Sequence, residues 1–208
     1  MTADSAQIVL ASASPRRAEL LDQLRIRYRQ VLPAVDEGAR PDEPADALVE
    51  RLAIAKARAG MHIALTDLPV LGADTLVVQD GLALGKPRDR DEALAMLARL
   101  SGRVHEVVSA VAVATAVGIQ AEVSRTAVTF RVISTAEAAR YWATGEPRDK
   151  AGAYAIQGIG GAFVRHLEGS YSGVVGLPLA ETERLLAAAG VDCWRYRLPA
   201  PGLQGVPR

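Results

Sequence analysis

Two long runs rich in valine, alanine and threonine, residues 104–116 and 122–132, flank Gly118 and constrain this chain more than any other feature. Such residues suit a pleated, half-buried surface, so each run reads as a strand. The glycine between them lets the backbone reverse, and the two strands pair as an antiparallel hairpin. A sheet containing that hairpin cannot be purely parallel and doubly wound. Upstream the pattern is different. Residues 7–11 (QIVLA) read as a short buried strand, and Ser14-Pro15 as an N-cap followed by proline at the first helical position. Leu20, Leu21 and Leu24 then recur at helical spacing, and residues 27–32 alternate weakly as a second strand. A Pro/Asp/Glu-rich loop, 33–46, leads to a predicted helix over 47–59 that Gly60 closes. Residues 68–78 read as a central strand, Asp80-Gly81 as a tight turn, and a helix runs from Asp89 or Asp91 to Leu100. Further helices are predicted over 135–142 and 178–189, and a strand over 162–167. Residues 145–161 are Gly-rich and polar, a long loop with a short strand at 153–156. The expectation is an α/β fold: a mixed twisted sheet flanked by helices.

Bulk properties narrow the function classes. A chain of 208 residues fits one domain or two tightly joined lobes, and no internal linker divides it. We expect a single unit over 1–196 and a loose, proline-containing tail over 197–208. Aromatic residues make up only 4%, so the core must be built mainly from Ala, Val, Leu and Ile. A formal net charge of zero argues against a broad basic face, hence against nucleic acid as partner. Cys193 is the lone cysteine, which excludes an intramolecular disulfide and suits a reducing compartment. Residues 1–7 are polar and carry Asp4, unlike a signal peptide, and no apolar run approaches 18 residues. A cytoplasmic, membrane-free protein is expected.

Several clusters carry chemistry. In Ser12-Ala13-Ser14-Pro15-Arg16-Arg17 a strand ends, two hydroxyls follow, and a helix begins beside two guanidinium groups. Free amides at a helix start attract anions, so this is a phosphate cradle without Walker glycines. A simple cap with solvated arginines accounts for the same residues equally well. Asp74, in Gly72-Ala73-Asp74-Thr75, lies inside an apolar strand, where a carboxylate is costly unless paired or metal-bound. It is a candidate metal ligand or general base. Lys86 follows the Asp80-Gly81 turn and can return to the Asp74 strand, although alone it reads as a solvated lysine. Lys56 sits on a helix among small alanines, and Glu37 is a second carboxylate in an acidic loop. Asp149, Lys150 and Gln157 belong to the Gly-rich segment, where glycines permit close backbone approach and Gln157 offers both a donor and an acceptor for a base edge. The three histidines lack zinc-ligand spacing, and no Gly-x-Ser-x-Gly elbow occurs.

These motifs, with Gly85-Lys86-Pro87, Asp149-Lys150-Ala151-Gly152-Ala153-Tyr154, Ile156-Gln157-Gly158 and Val174-Val175-Gly176-Leu177-Pro178-Leu179, resemble the Maf family in order and over roughly residues 8–188. The resemblance is closest to its dTTP/UTP pyrophosphatase branch. It implies a nucleotide pyrophosphatase with two lobes around a deep cleft, related to the inosine triphosphatase group and dependent on Mg or Mn. It places the proton acceptor on Asp74 and the positions that tune substrate choice on Arg16, Thr75 and Gln157. The charged cleft positions fall on Arg17, Glu37, Lys56, Lys86, Asp149 and Lys150, with Glu37 and Asp74 expected to hold the metal and Ser12 and Ser14 to meet substrate. It also implies a homodimer. Two alternatives remain beside it: a branch acting on 7-methyl-GTP, and a non-enzymatic regulator of septum formation.

Overall fold

A computed structural model describes residues 6–198. The first strand, β1 (Ile8–Ala11), explains much of the arrangement: all four of its side chains are fully buried, so both faces of the sheet must be covered here. Helix α1 (Pro15–Gln23) leads to β2 (Tyr28–Val31), which pairs parallel with β1. Helix α2 (Ala45–Ala64) then crosses to β3 (Val70–Gln79), parallel to the other side of β1. At Asp80 and Gly81, both at positive φ, the chain reverses into the short β4 (Leu82–Leu84). Helix α3 (Arg90–Leu100) follows, its first turn capped by Asp89, which accepts the Glu92 amide.

The expected hairpin is β5 (Val104–Thr115) and β6 (Gly118–Phe130), antiparallel over their whole length. The second strand begins at Gly118 rather than at 122, because a two-residue connection is enough for the reversal. Helix α4 (Thr135–Ala143), β7 (Val164–Glu168), the short α5 (Tyr171–Val175) and α6 (Leu179–Ala188) complete the described chain. The sheet order is β2-β1-β3-β5-β6-β7, with β4 beside β3. It is parallel on the β1 side and antiparallel from β3 onward. The expected mixed sheet between helices is what the chain forms.

Three buried clusters share β3 and β5. Valines and alanines of α2, β1 and β5 form one face, and α1, α6 and the opposite face of the same strands form another. A third cluster lies beyond the end of this sandwich, among α3, α4, Phe130, Tyr154 and Phe163, whose rings meet edge to face. The cleft opens between the sandwich and this aromatic lobe.

Two further expectations are corrected. Helix α2 does not stop at Gly60 but continues to Ala64, where Leu65 takes the left-handed cap conformation. Gly60 is instead a contact point: a Cβ there would lie 2.6 Å from Ala11 Cβ and 2.8 Å from Val70 Cγ1. Gly72 has the same use from the strand side, with Ala53 O only 2.4 Å from where its Cβ would be. Residues 153–156 form no strand. The segment is a chain of 3-10 turns, Glu146–Asp149, Ala151–Ala153 and Ile159–Phe163, with Gly152 and Ala153 at positive φ. Of the expected tail, Arg197 is anchored by an ion pair with Glu183 and a bond to Leu24 O, and residues 199–208 lie outside the described residues, as do residues 1–5.

Candidate active site

The two glycine contacts decide where the charges go. With Gly72 and the small Ala53 and Ala57 at the interface, the backbone of α2 lies directly against β3. That brings Lys56 of α2 to Asp74 of β3: Nζ donates to Asp74 Oδ1 at 2.6 Å. The same ammonium meets Glu37 Oε1 at 2.6 Å, from the loop between β2 and α2. Lys56 and Asp74 are both buried, while the Glu37 side chain is 62% exposed. The Lys56 hydrogen bond holds the Glu37 carboxyl below its ordinary range against partial desolvation, and Lys86 and Arg17 add to the pull.

Across the cavity, β1 ends at Ala11 and the next residues turn into α1. Ser14 occupies the N-cap position, yet its hydroxyl caps nothing; instead its amide donates to Ser12 Oγ at 3.1 Å. Arg17 Nη1 donates to the same oxygen, and its Nε donates to Gly176 O at 2.9 Å. Gln30 of β2 fixes the Ser12 carbonyl at 2.6 Å. The buried Arg17 guanidinium has its pKa lowered by desolvation, with Asp74 pulling it back up. Arg16 points elsewhere: its Nη1 pairs with Asp149 Oδ2 at 3.1 Å, and Asp149 also binds Lys150. Burial opposes ionisation of Asp149, but these two cations outweigh it and keep the carboxyl below its ordinary range.

The Gly-rich segment is held by two groups outside the cavity lining. Tyr141 of α4 donates to Glu146 Oε1 at 2.6 Å and accepts the Ala155 amide at 3.1 Å. Glu146 in turn accepts the Ile159 and Gly160 amides, both at 2.9 Å. Gly158 and Gly160 leave room for that carboxylate and that hydroxyl, since a Cβ on either would collide with them. Glu146, itself in the Gly-rich segment, is thus the anchor that positions it.

All of Ser12, Ser14, Arg16, Arg17, Glu37, Lys56, Asp74, Thr75, Lys86, Asp149, Lys150 and Gln157 line a single cavity of about 540 Å3. The structure therefore brings together every residue singled out from sequence. Lys56 pairs here with two carboxylates, Glu37 and Asp74. Leucines 32, 48 and 52 with Ile156 and Val174 supply an apolar part of the wall. Five cationic and three acidic side chains leave the lining with two net positive charges. Sequence reasoning missed Ser109 of β5, whose hydroxyl bonds Thr75 and which stands alone among Val and Ala from 107 to 114. That isolation was the available signal.

Comparison with known proteins adds to this geometry. The family model described as "Maf-like protein" matches residues 7–189. A dTTP/UTP pyrophosphatase of Saccharophagus degradans is 50% identical over 199 residues, covering 94% of this chain and 95% of that protein. A dTTP/UTP pyrophosphatase of Yersinia pestis bv. Antiqua is 53% identical over 180 residues, covering 86% of this chain and 91% of its own. Among solved structures, a nucleoside-triphosphatase / dITP/XTP pyrophosphatase of Mycobacterium abscessus overlaps 59% of this chain and 73% of its own, at 20% identity and a TM-score of 0.40.

Proposed function

The chain belongs to the Maf family, and from that premise we propose that it hydrolyses dTTP and UTP to the monophosphate and pyrophosphate. The observation that carries the reading is the meeting of basic side chains from α1 and the Asp74 carboxylate from β3 in one cavity. A triphosphate brings about four negative charges, and Arg16, Arg17, Lys86 and Lys150 offset them as the α–β bond stretches. The buried Asp74 takes a proton from the water that attacks the α-phosphorus. The new P–O bond forms as the bond to the β-phosphate oxygen breaks, and pyrophosphate leaves with its electron pair. Lys56 fixes the orientation of the Asp74 carboxylate through its bond to Oδ1. Arg16 and Lys150 exchange Asp149 for substrate oxygens on binding.

Mg or Mn takes oxygen ligands and commonly binds through one or two carboxylates plus substrate phosphates. Glu37 and Asp74 flank Lys56 in the cavity that would receive the triphosphate, and they are the carboxylates that would hold such an ion. Among the described residues no group of three or more His, Cys, Asp or Glu is placed to hold a metal, which suits an ion that arrives with its triphosphate. When bound, the ion would offset charge on the phosphates and ease ionisation of a water. It would also balance the remaining charge between the lining and the triphosphate. Among the described residues no helix is long and apolar enough to cross a membrane. A cytoplasmic homodimer of a single two-lobed unit is the accompanying expectation.

A nucleotide panel scored by pyrophosphate release tests the reading, with 7-methyl-GTP and GTP beside dTTP and UTP. We expect dTTP and UTP to dominate, and Asp74→Asn to lower kcat at least a thousandfold with an unchanged circular dichroism spectrum. Preference for 7-methyl-GTP, or no turnover at all, would replace this reading with one of the other two.

A further inference from the structure

Thr75 and Ser109 sit directly opposite each other on β3 and β5, on the same face of the sheet. Their hydroxyl oxygens are 2.9 Å apart. Ser109 is 1% exposed and its hydroxyl also lies 2.7 Å from Gly173 O. A carbonyl oxygen can only accept, so the single Ser109 proton points at Gly173. The short Thr75–Ser109 contact then needs the Thr75 proton, because two facing lone pairs at that distance would repel. The alternative acceptor, Gly176 O, is 3.4 Å from Thr75 Oγ1 and already takes the Arg17 Nε–H. The proton order is thus Thr75 to Ser109 to Gly173, and Thr75 retains only lone pairs for the cavity that it lines.

We propose that Ser109 is a positioning residue that fixes the Thr75 hydroxyl as an acceptor, so that Thr75 reads a hydrogen-bond donor on the nucleoside portion of the substrate and never a phosphate oxygen. The inference rests on the nucleotide-pyrophosphatase reading above. Phosphate oxygens at neutral pH present lone pairs, and an acceptor-only hydroxyl repels them. A uracil or thymine ring presents an N3–H, and the sugar presents an O–H; cytosine has a lone pair at N3. A buried acceptor left without its donor costs free energy, which penalises an analogue that lacks the donor. The chemistry selected is therefore a nucleoside N–H or O–H. Ser109 never touches substrate and acts through Thr75.

The test measures kcat/KM by pyrophosphate release for UTP against N3-methyl-UTP and CTP, and for dTTP against its 3′-deoxy analogue. In the unaltered enzyme at least one of these gaps is expected to be about tenfold or more. Collapse of the gap against N3-methyl-UTP and CTP in both Ser109→Ala and Thr75→Val assigns the donor to the base. Collapse of the 3′-deoxy gap assigns it to the sugar. Thr75→Ser, which keeps the hydroxyl, is expected to keep the gap, and the double variant to add nothing to either single one. Should Ser109→Ala not fold, Thr75→Val against Thr75→Ser decides alone. Gaps that survive Thr75→Val, or losses that multiply in the double variant, would overturn the proposal while dTTP turnover still stands. Absence of pyrophosphate from every nucleotide with the unaltered protein would instead overturn the parent reading, and this proposal with it.

Discussion

At the cavity end of β1 and β3 the buried polar groups include ions: Lys56 of α2 bridges the buried Asp74 and the exposed Glu37, and Arg17 of α1 is buried across from them. In the aromatic lobe they are neutral. His105 shares a 2.9 Å bond with Tyr154 and touches Phe130, and Tyr141 holds the Gly-rich segment through its hydroxyl. Burial pushes the His105 imidazole down to about 4 and raises both tyrosines. Both regions contribute to the same cavity, but the polar contacts buried behind it are ionic in the first and neutral in the second. A buried ion needs its partner on the spot, whereas a neutral donor needs only one aligned acceptor.

That contrast can be broken by experiment. Lys56→Met leaves two carboxylates facing each other without their cation, and we expect about 3–5 kcal/mol of lost stability, read as a lowered urea midpoint. A loss under about 1 kcal/mol would mean that the ions are not interdependent. The aromatic lobe should respond to pH instead. The folded-state pKa of His105, about 4, lies below its unfolded value of about 6.5. Its contribution is therefore complete above about pH 6.5 and is lost as the pH falls towards about 4, roughly 3 kcal/mol in all. The carboxylates Glu37 and Asp149, held below their ordinary range, give way only at lower pH. Urea midpoints from pH 7 to 4 should fall, and His105→Gln should flatten the fall; an unchanged slope would move the effect to another group. The smallest effect expected is Tyr141→Phe, about 1–3 kcal/mol from leaving the Ala155 amide unpaired, with KM raised more than kcat is lowered. A change in kcat alone would place Tyr141 nearer the chemistry than the contrast allows.

The sequence made the hairpin, the helix starts at Pro15 and Asp89 and the chemistry-bearing motifs readable, because each is written in neighbouring residues. Where reading failed, one residue had two physical uses. Gly60 near a helix end signals a cap, but its missing Cβ serves contact with β1 and β3. Residues 153–156 are a short apolar run that reads as a strand, yet Ala153 lies in a 3-10 turn and the extended Tyr154 packs on His105 instead of joining the sheet. Pairings such as Arg16 with Asp149 and Arg17 with Gly176 join residues far apart in the chain and leave no local period to detect. Ser109 escaped notice because its neighbours read only as sheet core.

The sheet ends on β2 at one side and β7 at the other. Both are short, and they expose Arg29 and Gln30 on the first and Arg165, His166 and Glu168 on the second. A further strand laid along either margin would have to bury charge. Both margins of the sheet are thereby poor templates for zipping copies of the protein together edge to edge.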